Sequence, residues 1–312
     1  TIVTVSHREQ TVIRCATSIR IFLLVIGALA VLPYWPTPAT ALTLHHVHGL
    51  SYSADGLRLF IPIHHGLAIY SGQQWTKAPG PEHDYMGFTS TQRVFYSSGH
   101  PAPGMPLPNP LGLMKSQDGG KTWEQLGLIG EADFHLLAAS YHTNTVYVFN
   151  EAANSRMPQA GLYYTTNDGK QWHAAKGTGL IGSPVSLVVH PTHDKVVAVG
   201  TRSGVYLSQD SGTSFQRLTN VTQVLAVYFA LDEQHLWVSS FEGKPVLTRV
   251  QWQTGQAEPG TLPDLEQDAV TYITQNPINR QAWAIATYKR DVYISSDNGQ
   301  TWQQIARAGE TL

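Results

Sequence analysis

The chain has 312 residues, of which 13% are charged and 42% hydrophobic, and it contains 27 glycines and 18 prolines. This length supports one large domain or two ordinary ones, and the glycine and proline content excludes a coiled coil. With 20 basic and 22 acidic side chains the formal charge is −2, so we expect no nucleic-acid partner. Low charge combined with abundant Trp and Tyr also excludes a disordered chain.

Residues 1–41 have the pattern of a secretory leader. Arg14 and Arg20 precede an apolar run over residues 21–32, and the small-x-small sequence Ala39-Thr40-Ala41 follows it. We therefore expect a signal peptide cut after Ala41 and a periplasmic or extracellular protein. The apolar run is short for a membrane-spanning helix, but the aromatic residues after it could extend it at the membrane interface. An uncleaved N-terminal membrane anchor is thus the alternative.

One eight-residue pattern, S-x-D-x-G-x-T-W, recurs through the rest of the chain. Its clear copies begin at Ser116, Ser208 and Ser295, and a weaker copy begins at Thr165. A repeat at roughly 40–50 residues indicates a solenoid or a propeller. We assign a structural role to the Asp or Asn, the Gly and the aromatic residue of every copy, namely Asp118, Gly120, Trp123, Asn167, Gly169, Trp172, Asp210, Gly212, Phe215, Asp297, Gly299 and Trp302.

Each repeat contains four short segments with strand character. In the fourth repeat these segments cover 185–190, 195–200, 204–208 and 215–218, and turn residues separate them. Short Val- and Tyr-rich strands at this spacing predict an all-β array. Six units begin near residues 45, 83, 133, 182, 223 and 268. We therefore predict an all-β, six-bladed β-propeller over residues 42–312, closed by pairing of the last blade with the segment near 42–46.

The repeated motif resembles the Asp box, or BNR repeat. This element is found in sialidases, sortilin-type receptors, photosystem II assembly-factor propellers and exported bacterial proteins often labelled glycosyl hydrolases. The resemblance covers about residues 45–305 and implies a propeller in which each box is a hairpin between the third and fourth strands of a blade. The Asp is expected to cap backbone N–H groups, the Gly to take a positive φ and the Trp to pack between blades. The fold itself hosts many unrelated activities.

The histidines concentrate where the repeats predict one mouth of the channel. Nine of the 14 histidines fall between residues 45 and 142. In the first three units they lie at the starts of first strands and the ends of second strands, which meet at the same mouth. The candidate metal ligands are His48, His65, His83, His100 and His135, with Met86 as a soft ligand.

Imidazole and thioether donors without a thiolate fit copper best and zinc second. The only cysteine, Cys15, lies in the predicted leader. Carboxylates next to the ligands would hold the second imidazole nitrogen, and Asp84, Asp133 and Glu151 are candidates for that role. The leading hypothesis is an exported propeller that binds copper or zinc at its mouth. The alternative interpretation of the same residues is a pocket lined by hydrogen-bonded histidines that binds a small polar ligand instead of a metal.

Two other functions stay open at this stage. A glycoside hydrolase-like enzyme would need two carboxylates, for which Glu151 and Glu242 are candidates, but the Phe-Arg-Ile-Pro element of sialidases is absent. A protein-interaction or assembly scaffold of an extracytoplasmic membrane complex would use the Pro-rich loop 101–110 as a stiff surface element. Whether the protein is an enzyme is not decided by its sequence.

Overall fold

The computed structural model of the chain describes residues 42–312, and every regular element in that part is a β-strand. The leader predicted over residues 1–41 lies outside the described residues, so its cleavage or anchoring stays a prediction. Within 42–312, no helix is long and apolar enough to cross a membrane.

Twenty-five strands form six antiparallel sheets, each a simple meander in chain order. Blade one contains β1 (Ser51–Tyr52), β2 (Leu59–Ile63), β3 (Gly66–Ser71) and β4 (Gln74–Lys77), and blade two contains β5 (Asp84–Ser90), β6 (Phe95–His100), β7 (Leu113–Ser116) and β8 (Glu124–Gly127). Blade three contains β9 (Leu137–Ala139), β10 (Val146–Asn150), β11 (Gly161–Thr165) and β12 (His173–Ala175), and blade four contains β13 (Pro184–Val189), β14 (Val197–Thr201), β15 (Gly204–Ser208) and β16 (Gln216–Arg217). Blade five contains β17 (Val224–Phe229), β18 (His235–Phe241), β19 (Pro245–Gln251) and β20 (Ala257–Pro259), and blade six contains β21 (Val270–Gln275), β22 (Trp283–Thr287), β23 (Val292–Ser295), β24 (Gln303–Arg307) and β25 (Glu310–Thr311).

The first strand of every blade lines a central channel, which encloses a cavity of about 350 Å³. The second strand of each blade lies inside its sheet, between the first and third strands, and β2, β14 and β22 are buried at every position. A strand covered on both faces needs apolar or small side chains throughout, and Leu59–Ile63 and Val197–Thr201 have that composition. The predicted all-β, six-bladed propeller is confirmed.

The repeated motif forms a closed hydrogen-bond network in the turn between the third and fourth strands. In blade two, Ser116 Oγ donates to Asp118 Oδ1 at 2.9 Å and accepts the Gly120 N–H at 2.8 Å. Thr122 donates its N–H to Asp118 Oδ1 at 3.0 Å and its hydroxyl to Asp118 Oδ2 at 2.6 Å. Gly120 has a φ of 84°, a conformation that disfavours residues with a Cβ. Trp123 packs on Tyr85 with ring centroids 5.0 Å apart.

The same network recurs in the other boxes. Asp210 and Asp297 each accept the N–H and the hydroxyl of the residue four positions later. In blade three Asn167 replaces the aspartate, and its Oδ1 accepts the Gln171 N–H at 2.9 Å. Gln171 has no hydroxyl to donate, so this weaker copy of the motif forms a smaller network.

The boxes also join successive blades. A Cβ at Gly120 would lie 2.5 Å from Leu67 Cδ1 in the third strand of the preceding blade, and a Cβ at Gly212 would lie 2.7 Å from Leu162 Cδ2. The glycine therefore permits close packing on a leucine of the neighbouring blade. This contact explains why the motif requires a glycine at that position beyond the needs of its own turn.

The ring closes through the two ends of the described chain. Thr43 pairs in antiparallel fashion with Glu310 in β25, and the Leu44 N–H donates to Gly309 O at 2.6 Å. Leu44 is fully buried in a cluster shared by blades one and six. This is the pairing expected from the sequence between the last blade and residues 42–46.

Candidate metal centre at the channel mouth

Three backbone pairings bring the histidine-rich segments together. The His48 N–H donates to Pro62 O at 3.0 Å, so the residues before β1 extend its pairing with β2. His64 follows β2 in the tight turn to β3, and its N–H donates to His45 O at 3.2 Å. Asp84 begins β5 directly opposite His100 at the end of β6. Strand pairing alone thus gathers these side chains at one mouth of the channel.

The first histidine group consists of His48, His64 and Asp84, whose potential ligand atoms lie within 4.8 Å of one another. His48 Nε2 is 3.4 Å from Asp84 Oδ1, and His64 Nε2 is 3.9 Å from Asp84 Oδ2. The two imidazole rings are stacked, with centroids 5.1 Å apart and planes inclined by 9°.

Two buried atoms of this group lack a hydrogen-bond partner among the described residues, namely His48 Nε2 and Asp84 Oδ1. Burial, followed by the charges of His64, His46 and His135, lowers the pKa of His48 to about 4. Burial raises the pKa of Asp84, while the nearby histidines His64 and His100 oppose that shift. His48 is therefore a neutral imidazole near pH 7, which is the form that binds metals.

The second histidine group consists of His100, Asp133 and His135. His100 Nε2 is 3.1 Å and His135 Nε2 is 2.8 Å from the same atom, Asp133 Oδ2. Asp133 Oδ1 is buried and has no hydrogen-bond partner in the described part of the chain. One carboxylate is thus held between two imidazoles.

Neighbouring groups engage the remaining ring nitrogens of this second group. His100 Nδ1 lies 2.7 Å from Asn109 Oδ1, and because an amide oxygen only accepts, Nδ1 carries the proton. His100 Nε2, on the other side of the ring, faces the Asp133 carboxylate. His135 Nδ1 lies 3.8 Å from Glu151 Oε1. Imidazole ligands of metals generally have their second nitrogen held by such an oxygen.

The other ligands predicted from sequence lie apart from these two groups. His83 is buried, and its Nδ1 accepts the Ala102 N–H at 3.0 Å. His65 is exposed, with its ring 6.5 Å from that of His45. Met86 is half-buried at an irregularity in the pairing of β5 with β6. Metal ligation by these three residues stays a prediction. Of the ligands predicted from sequence, His48 lies in the first histidine group, and His100 and His135 lie in the second.

The sequence analysis did not name His64, which the structure places 3.9 Å from Asp84. Asp84 and Asp133 were expected to hold the second nitrogen of a ligand, whereas both lie within direct reach of imidazole Nε2 atoms. The signal for His64 was the tight turn between β2 and β3, which places it beside the segment around His48. Glu151 lies beside His135, as expected of an outer carboxylate.

The Pro-rich loop 101–110 is hydrogen-bonded to two of the histidines near the mouth. Its Ala102 N–H binds His83, and its Asn109 side chain binds His100. On the opposite side of the mouth, Glu242 accepts the Thr222 N–H and hydroxyl. Glu151 and Glu242 therefore belong to separate blades and have separate partners.

Two family models match the chain. The model described as "Sortilin, neurotensin receptor 3" matches residues 112–245, and the BNR/Asp-box repeat matches residues 293–304. A probable oligoxyloglucan-reducing end-specific xyloglucanase from Neosartorya fischeri is 22% identical over 211 residues, which are 63% of this chain and 24% of that protein. The chain thus spans about a quarter of the length of this curated relative.

Solved propellers share the fold. The GH74 enzyme of Niastella koreensis aligns with a TM-score of 0.59 and 16% identity, covering 86% of this chain and 46% of that chain. YCF48 from Cyanidioschyzon merolae aligns with a TM-score of 0.52 and 16% identity, covering 86% of each chain. A YCF48 structure bound to D1 peptide has a TM-score of 0.51 and 18% identity, covering 88% of this chain and 85% of that chain. The hydrogen-bonded boxes, the six blades and the two family matches support the resemblance to BNR/Asp-box β-propellers that the motifs predicted.

Proposed function

We propose that the protein binds a divalent transition metal, copper or zinc, at the mouth of its channel. The observation that carries the proposal is the second histidine group, in which one potential ligand atom from each of His100, Asp133 and His135 lies within 4.8 Å of the other two. The buried Asp133 Oδ1 has no partner within residues 42–312. A bound cation would satisfy this carboxylate and use both imidazole lone pairs at once.

The donor set favours copper and zinc over other common ions. Two imidazoles and one carboxylate suit borderline metals, whereas magnesium and calcium prefer oxygen ligands alone. Three protein ligands leave a further position for water or an exogenous ligand. In this arrangement His100 and His135 donate through Nε2, Asn109 orients His100, and Glu151 neighbours His135. Copper binds most N/O sites more tightly than zinc does.

The test is the metal content of the protein purified without a histidine tag, before and after incubation with Cu²⁺ or Zn²⁺. We expect near-stoichiometric metal in the wild type and loss of the ion bound by the second group in Asp133→Ala and His135→Ala. The matched control is His142→Ala, which removes an exposed histidine that contacts Gln92. Metal content at background in the wild type, or unchanged in both site variants, would refute the proposal.

A second candidate is a scaffold that binds a protein segment at the same mouth. The peptide-bound YCF48 propeller supports it by fold analogy, and the Pro-rich loop provides a stiff surface beside the channel. This function predicts that replacing residues 103–107 by a short Gly/Ser linker abolishes recovery of a membrane-complex partner while metal binding persists. Recovery of the same partner by the loop variant would contradict it.

A glycosidase is the third candidate, supported by the xyloglucanase relative and the GH74 propellers. The two carboxylates proposed from sequence, Glu151 and Glu242, lie on different blades. Glu151 neighbours His135, whereas Glu242 is hydrogen-bonded to Thr222. If the pair acts in catalysis, hydrolysis of xyloglucan oligosaccharides will be measurable and will be abolished by Glu151→Gln. Hydrolysis that survives both Glu151→Gln and Glu242→Gln would exclude this pair.

A further inference from the structure

We propose that the mouth holds two metal ions, one in each histidine group, so that His48, His64 and Asp84 form a second metal site. This inference rests on the proposed function, because both groups draw on the same ligand chemistry. It goes further in assigning a separate ion to residues that the second group does not use.

The first group has its own complete set of donors at suitable spacing. Ligand atoms bound to one tetrahedral ion at about 2.0–2.2 Å lie roughly 3.3–3.6 Å from each other. The distance from His48 Nε2 to Asp84 Oδ1 is 3.4 Å, and that from His64 Nε2 to Asp84 Oδ2 is 3.9 Å. The parallel stacking of the two rings directs both Nε2 atoms toward the same carboxylate. Small side-chain adjustments would complete a three-ligand site.

Buried atoms without partners identify this group independently. The His48 side chain is only 12% exposed, and both its Nε2 and Asp84 Oδ1 lack a hydrogen-bond partner among residues 42–312. Buried polar atoms in folded proteins are nearly always satisfied, so each exception calls for an explanation such as strain, an ordered water or a bound ion. These two atoms face each other at 3.4 Å. A cation is the partner that both atoms can share.

An ion bound by the second group would not provide a partner for the buried atoms of the first group. The two groups have no residue in common, and each contributes one carboxylate and two imidazoles. They are adjacent because Asp84 and His100 face each other across β5 and β6. With only His100, Asp133 and His135 occupied, the buried atoms of His48 and Asp84 would stay without partners. One carboxylate per group instead provides each divalent ion with its own counter-charge.

The surroundings of the first group provide further support. His46 stacks on His64 with ring centroids 4.2 Å apart and planes inclined by 18°, so a third imidazole lies beside the site. His48 and His135 both line the channel, which places each group at its edge. Two imidazoles and one carboxylate in each group give both sites a donor set that suits copper and zinc.

The experiment is a stoichiometry measurement by equilibrium dialysis of the untagged protein against Cu²⁺ alone and Zn²⁺ alone. We expect two equivalents per chain in the wild type and one each in His64→Ala and His135→Ala. The double variant should bind none at the mouth, and His142→Ala should keep two. Far-UV circular dichroism of each variant verifies that it is folded, and His64, as a partly exposed turn residue, tolerates truncation.

The outcomes separate this inference from the proposed function. One equivalent in the wild type that is retained by His64→Ala and lost in His135→Ala would overturn the second site and leave the proposed function intact. One equivalent lost in either variant would show a single shared ion, which also overturns the inference. No bound ion in the wild type would overturn both.

Discussion

Aspartates in two regions of this propeller have opposite environments. In the Asp boxes, Asp118 is exposed and accepts hydrogen bonds at both oxygens from Ser116 and Thr122. Those bonds lower the pKa of Asp118 to about 2. At the mouth, Asp84 is half-buried with an unpartnered Oδ1, and burial raises its pKa. The same side chain is saturated by its own turn in one region and left with free bonding capacity in the other.

This difference separates a structural carboxylate from one that we propose binds a metal ion. A turn whose donors and acceptors are all paired stabilises the native chain and has nothing left for a ligand. A buried oxygen without a donor destabilises the empty protein, and it is explained if an ion supplies the missing interaction. Repeat motifs therefore identify the fold, whereas unpaired atoms indicate where we propose that an ion binds.

The largest expected effect is on metal binding by the second histidine group. Asp133→Asn keeps the shape of the side chain but removes the charge held between His100 and His135, so we expect affinity at this site to fall at least about 100-fold, or roughly 3 kcal/mol. Isothermal titration with Zn²⁺ measures the change. Asp118→Asn is the matched control with an unchanged affinity. Equal losses in the two variants would show that the effect is not local to the mouth.

The next largest expected effect is on the stability contributed by the Asp boxes. Asp118→Ala removes the acceptor for Ser116 and Thr122, and we expect the free energy of unfolding to fall by about 1–2 kcal/mol. Asp118→Asn should cost less, because Asn167 occupies the equivalent position in blade three and retains the Oδ1 bonds. Urea denaturation followed by tryptophan fluorescence measures both variants. A larger loss for Asn than for Ala would contradict the hydrogen-bond account.

The box network was predictable from sequence because it is local. Its bonds join residues two to four positions apart, so the spacing of Ser, Asp, Gly and Thr specifies them directly. The mouth depends on pairing between distant segments. Strand ends predicted that histidines would gather there, yet the choice between His64 and His65 depends on side-chain direction in a tight turn. His83 could not be assigned in advance, since its partner Ala102 lies on a loop 19 residues away.

A smaller effect of opposite sign is expected at the first histidine group. In the metal-free protein, Asp84→Asn replaces a buried, unpartnered charge by an amide that can donate toward His48 Nε2. We expect the free energy of unfolding to rise by about 1 kcal/mol, while metal binding at this group is lost. Thermal unfolding in the presence of a chelator measures the first change. Destabilisation by Asp84→Asn under those conditions would contradict the assignment of an unsatisfied site.

The smallest effect is the pH dependence contributed by a single box. Hydrogen bonds from Thr122 and Ser116 hold the pKa of Asp118 at about 2, below the value of about 4 for an unfolded aspartate. Because the folded state releases this proton more readily, its stabilising contribution is complete above about pH 4 and is lost as the pH falls toward 2. Asp297 has the same lowered pKa of about 2 for the same reason. Asp118→Asn removes one titrating group, so its stability should decline less steeply than that of the wild type between pH 4 and 2. Parallel acid-unfolding curves for the two proteins would mean that protonation of the box carboxylate is not linked to folding. The difference between the box aspartates and the mouth aspartates would then have to be tested by metal binding alone.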